Sequence, residues 1–194
     1  MSKIDVYLAK IPNDLPVLSS QPKLREEELQ SCCDKVKREK TYSWSLLISA
    51  IEKRYGELSK DFEFTKAENG KWLCNGCCFS ITHSKGYVAV AVSDAPVGID
   101  MESESREITK IQKTLTLLEQ KEFENSIDKN FLLKKWTQKE SLYKKCGVSA
   151  FNPFKIETVG EHFVTKTVAA TDENFIIPVA CDKGDEILFY NNGV

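Results

Sequence analysis

The chain has 194 residues, 41% of them hydrophobic and 29% charged, enough to bury a real core as one domain or two small ones. A formal net charge of −2 excludes the broadly basic surface that recruits nucleic acid or an anionic membrane, so any polyanion must be bound locally. No apolar run nears the ~18 residues of a membrane-spanning helix and no apolar signal region opens the sequence, so a cytoplasmic protein is expected, with no nucleic acid and no membrane partner.

In chain order, Ile4 to Leu8 has the makings of a strand, and Pro12, Pro16 and Pro22 punctuate a loop after it. From Asp34 the pattern becomes helical. Trp44, Leu47, Ile48, Ile51 and Tyr55 recur at three- and four-residue spacing, and Gly56 stands where a helix-ending glycine belongs. The first half of that helix is basic, with Lys35, Lys37, Arg38 and Lys40. This is usually a solvated face, though one that would suit a phosphate if recessed.

Short strands are expected at Phe62 to Phe64 and Trp72 to Cys74, then a hairpin from Cys78 to Thr82 and Tyr87 to Val92. Cys74-Asn75-Gly76-Cys77 has the spacing of a zinc knuckle but no second pair to complete it, and Asn-Gly is a hairpin-turn signal, so a hairpin with buried thiols is the expectation. Seven cysteines, an odd number without a secretion signal, point to reduced thiols.

Beyond Pro96, Val97 to Glu102 forms another strand, and helices cover Glu107 to about Glu124 and Asn130 to Cys146, the latter stopped by Gly147. Lys155 to Val159, Phe163 to Ala169, Phe175 to Ala180 and Ile187 to Tyr190 are expected to complete an antiparallel sheet. The element order of the first half, strand, helix and hairpin, is echoed in the second. Two related halves, 1–95 and 96–194, would then meet near Asp94 to Val97 in one compact unit.

The chemistry concentrates in two stretches. Strand alternation puts Asp100 and Glu102 of Gly98-Ile99-Asp100-Met101-Glu102 on one face. Taken alone, that alternation favours a solvated polar edge over a metal site. On the second helix, Leu132, Trp136, Glu140 and Tyr143 share one stripe, which places a carboxylate among apolar groups. An acid there needs either a metal or a partner, and Lys144 one turn on is the competing partner. Were the three acids to converge, their charge of −3 would fall to about −1 with a divalent cation. Oxygen-only ligation suits Mg²⁺ shared with substrate phosphates. His83, at the turn end of a strand between Thr82 and Ser84, fits a phosphate donor and a merely packed imidazole equally well.

Together, Gly70-Lys71, Phe79-Ser80-Ile81-Thr82-His83-Ser84, Gly98-Ile99-Asp100-Met101-Glu102 and Trp136-x-x-Lys139-Glu140-Ser141-x-x-Lys144-x-x-Gly147 resemble, in order and spacing, the motifs of the 4′-phosphopantetheinyl transferases, surfactin-synthetase-activating type. The resemblance implies an α+β fold of two similar, pseudo-twofold-related α+β subdomains with the active site in the cleft between them, acting as a monomer. It implies transfer of phosphopantetheine from coenzyme A to a serine of an acyl or peptidyl carrier protein, releasing adenosine 3′,5′-bisphosphate. Asp100, Glu102 and Glu140 would hold Mg²⁺ against the diphosphate. Glu140 would activate the serine and Lys144 would neutralise the leaving phosphate. Thr82, His83 and Lys71 would stand on the coenzyme side, and Glu119 would be a further acid near the site. Thr82 replaces a usual Ser, Ser80 a frequent Asn, and Trp72 the usual Pro after Gly-Lys.

Overall fold

A computed structural model describes residues 1–15, 22–107, 110–147 and 150–191. The expected loop prolines Pro12 and Pro22 fall inside this range, whereas Pro16 lies outside it, as do residues 108–109 of the expected helix from Glu107.

Strand β1 (Lys3–Lys10) is followed by helices α1 (Lys23–Gln30) and α2 (Asp34–Tyr55), short strands β2 (Phe64–Lys66) and β3 (Trp72–Cys74), and the hairpin β4 (Cys78–Ser84) and β5 (Tyr87–Ser93). The second half holds β6 (Gly98–Ile99), β7 (Glu102–Ser103), α3 (Leu117–Glu124), α4 (Phe131–Cys146), β8 (Phe163–Ala169), β9 (Asn174–Ala180) and β10 (Glu186–Asn191). The β4–β5 turn is Lys85-Gly86, with φ of 50° and 77°, the double left-handed geometry of a tight two-residue hairpin.

Two four-stranded sheets carry the fold. One runs β10-β1-β5-β4; the other places β9 between β8 and the consecutive β6 and β7. The alternation of β5 sends Tyr87, Ala89 and Ala91 into a core shared with Ile99, Met101, Phe175, Ile177 and Val179 of the second sheet, while Val88, Val90 and Val92 face Trp44, Leu47 and Ile51 of α2. Helix α4 covers β9 and β6 from the far side. The layers are therefore helix, sheet, sheet, helix.

Several expectations change. Helix α1 went unforeseen because its sequence lacks an apolar stripe. It is tied down instead by Arg25, which lies over the Trp44 ring, pairs with Glu28 and donates to the Lys40 carbonyl. Beyond the strand start expected at Phe62, pairing occupies residues 64–66. Cys74-Asn75-Gly76-Cys77 is no hairpin turn: β3 pairs with β2, and Gly76 sits against the Phe62 ring, where a Cβ would come within 2.1 Å. The thiols are free, Cys77 buried and Cys74 and Cys78 half-buried.

Lys155 to Val159 forms turns and coil, not a strand, because the Glu119 carboxylate takes the Thr158 N–H and hydroxyl out of any ladder. Strand β10 leaves the antiparallel sheet and pairs parallel with β1, Lys3 opposite Glu186 through Leu8 opposite Asn191. The expected strand from Val97 to Glu102 keeps one register along β9 but is interrupted at Asp100 and Met101. Asp100 donates its N–H to the Pro178 carbonyl at 3.3 Å, and Pro178 has no N–H to return.

Candidate active site

The acids sit where that interrupted strand, the edge of β4 and the face of α4 meet. Ile99 and Met101 point into the inter-sheet core, so Asp100 and Glu102 point the other way. Three alternate hydroxyls of β4 reach across to this strand. Ser80 Oγ accepts from the Ile99 N–H at 3.1 Å, Thr82 Oγ1 donates to Asp100 Oδ1 at 2.9 Å, and Ser84 Oγ donates to Glu102 Oε2 at 3.1 Å. This set of bonds orients both carboxylates from the first sheet.

Helix α4 supplies the rest. Its approach is close because Gly98 lies under it: a Cβ there would stand 1.8 Å from the Ser141 carbonyl oxygen and 2.6 Å from the Lys145 nitrogen. The helix ends at Gly147 in left-handed geometry, φ 65°. Its deepest apolar and small side chains are Leu133, Thr137 and Ser141, while the stripe of Leu132, Trp136, Glu140 and Tyr143 is half-buried. That correction matters chemically, since Glu140 stands at a border between core and solvent instead of inside the core.

Oxygens of Asp100, Glu102 and Glu140 lie within 4.8 Å of one another, the one such group of three potential metal ligands among the described residues. That bound is of the order of the ~4.2 Å that separates opposite oxygens in an octahedral Mg²⁺ shell. Lys144 Nζ donates to Asp100 Oδ1 at 2.8 Å. Asp100 Oδ2 is shut off from solvent and has no hydrogen-bond partner, a cost that a bound cation would remove. Burial first, then the Asp100 charge beside it, push Glu140 up to about 8 against the pull of Lys144 and Arg106. Two carboxyls this close resist being ionised together. An all-oxygen donor set with an orphaned buried oxygen fits a hard divalent cation.

The other expected residues divide. Thr82 joins the acids, as above. Lys71, from the β2–β3 hairpin, donates to the Lys144 carbonyl at 2.6 Å, and its neighbour Asn69 donates to the Gly147 carbonyl at 2.9 Å, so this hairpin caps the end of α4. Burial lowers the Lys71 ammonium from its ordinary value. Lys71 and Lys144 border a cleft of about 310 Å³ whose walls include Trp72, Phe79, Ile81 and Tyr143. His83 alternates onto the opposite face of β4 from Thr82 and Ser84; it is exposed, its Nδ1 3.8 Å from the Glu39 carboxylate of α2. Of the basic residues of α2, Arg38 is engaged by the Pro12 and Asn13 carbonyls.

Glu119 lies apart from the acid group. It is fully buried, caps α3 through Thr116, accepts from Thr158 and pairs at 2.7 Å with Lys139, itself fully buried and donating to the Pro153 and Ile156 carbonyls. One residue at the site escaped the sequence reading: Arg106, paired with the Glu102 carboxylate and set over the Trp136 ring. Its spacing of four from Glu102 was the available signal, though a turn, not a helix, brings them together.

A search of curated proteins finds no match to this chain. The segment that carries the acids, Lys144, Glu119 and the second sheet does match a family model: residues 96–180 are similar to the 4′-phosphopantetheinyl transferase superfamily, which supports a transferase.

Proposed function

We propose that this protein transfers the 4′-phosphopantetheine of coenzyme A to a serine hydroxyl of an apo acyl or peptidyl carrier protein, as a surfactin-synthetase-activating type enzyme. The observation that carries the reading is the convergence of Asp100, Glu102 and Glu140 beside Lys144, within the segment similar to the superfamily. On this reading residues 1–95 and 96–194 act as two halves related by a pseudo-twofold axis, in a cytoplasmic monomer. The helix-on-sheet layering of each half supports it.

Asp100, Glu102 and Glu140 hold Mg²⁺, which when bound supplies charge neutralisation and alignment for attack at phosphorus. Glu140 takes the serine proton, a role open to a carboxylate that stands between the core and the solvent. Lys144 neutralises charge on the departing phosphate. Lys71 and Thr82 line the coenzyme side, and His83 contacts nucleotide phosphates from the outer face of β4. No covalent enzyme intermediate is required, since phosphoryl transfer rests on positioning and electrostatics.

The test is incubation with coenzyme A, Mg²⁺ and a panel of apo carriers, followed by intact-mass measurement. A gain of one phosphopantetheine on a carrier supports the proposal. Free phosphopantetheine released without an acceptor identifies a hydrolase instead, and coenzyme A binding with neither product identifies a noncatalytic binder.

A further inference from the structure

Resting on the reading above, we propose that Arg106 is a displaceable counter-ion of the acid group and a binding residue for the substrate diphosphate. Fully ionised, as a bound cation would hold them, the three carboxylates carry −3. Two cations are set among them, Lys144 on Asp100 and Arg106 on Glu102. They differ in what holds them. Lys144 rises from within α4 and is 29% exposed. Arg106 is 37% exposed, follows a turn closed by its own N–H on the Ser103 carbonyl, and is stacked over Trp136.

Both oxygens of Glu102 are already engaged in this arrangement, one by Ser84 and the other by Arg106. Asp100 Oδ2, in contrast, is buried with no hydrogen-bond partner. A divalent cation drawn to Asp100 and Glu140 therefore meets, at Glu102, a carboxylate whose charge the guanidinium already neutralises. The freed guanidinium, held near by its turn and by the Trp136 face, has a planar fork of donors matched to phosphate oxygens. Arg106 thus opposes the metal alone and favours the metal together with a diphosphate. A residue that only stabilised the fold would do neither.

The experiment is calorimetry with Mg²⁺ alone, then with coenzyme A at saturating Mg²⁺, on the wild-type chain, R106Q and R106K. For R106Q, Mg²⁺ alone is expected to bind about tenfold tighter and coenzyme A about tenfold weaker, with R106K between wild type and R106Q in both. In transfer assays the loss should fall on KM for coenzyme A more than on kcat. Mg²⁺ should also change tryptophan fluorescence in wild type but not in W136F. Unchanged or weaker Mg²⁺ binding by R106Q overturns the counter-ion role, and unchanged coenzyme A affinity overturns the diphosphate role. R106K keeps the test open should R106Q misfold. Should wild type bind Mg²⁺ and coenzyme A with these effects but modify no carrier, the transferase reading falls and this one stands.

Discussion

At the level of single side chains, Glu140 sets the pH behaviour. Its folded value of about 8 stands above its ordinary 4.5, so between those limits the folded state binds more protons than the unfolded one. Stability of the metal-free protein should therefore fall as pH rises from about 4.5 to about 8. Mg²⁺ relieves the carboxylate repulsion, so its stabilising effect should be larger at pH 8 than at pH 5.5. Thermal melts with Mg²⁺ and with a chelator measure both. E140Q should flatten the metal-free slope and cut transfer kcat by roughly a hundredfold or more. An unaltered rate would remove Glu140 from the chemistry.

Much of this was legible in advance. Alternation placed Asp100 and Glu102 together, and the spacing of α4 singled out Glu140 and Lys144. The same alternation divides His83 from Thr82 and Ser84, but only the packing of β4 between α2 and the acids shows which face is which. Arg106 was hidden because a turn, whose geometry no periodicity encodes, carries it.

Among the elements, α4 has two supports that can be tested separately. G98A forces a Cβ against the α4 backbone, so the helix must move with Glu140 and Lys144. A loss of about 2–4 kcal/mol in urea unfolding is expected, together with weaker Mg²⁺ binding. The second support is the Glu119–Lys139 pair, which ties α3 and the segment from Pro153 to Thr158 to α4. K139M should cost about 3–5 kcal/mol by stranding a buried carboxylate. E119Q with K139M should recover a large part of that, a non-additivity that denaturation of the single and double variants measures. This network explains why a Glu that resembled an active-site acid and a Lys in a charged run are both wholly buried. Sequence patterns price such residues as solvent-facing, and only a partner from a distant segment changes that. The failed strand at Lys155 to Val159 has the same origin.

For the molecule as a whole, the least legible feature was the end of the chain. β10 has the composition of any edge strand, and nothing local tells it to pass over a neighbouring sheet and pair with β1. Parallel pairing between chain ends is a long-range choice made by the packed core. Removing residues 186–194 would bare the β1 edge, including Asp5 and Tyr7, which now bond or stack with Tyr190. The truncated chain is expected to elute as aggregates in size-exclusion chromatography, as an uncovered flat edge invites pairing with other chains.

The return of β10 also constrains how substrates arrive. The two sheets are joined by the linker before Gly98 and again by the turn after Ala180, and they share one continuous core in which Tyr87 and Phe175 rings meet at 5.0 Å. Jaws sewn at two seams and glued along their inner faces do not swing. Entry to the cleft is then a matter of side chains and short loops at its rim, Lys71 and Lys144 among them, moving over a backbone frame that stays in place.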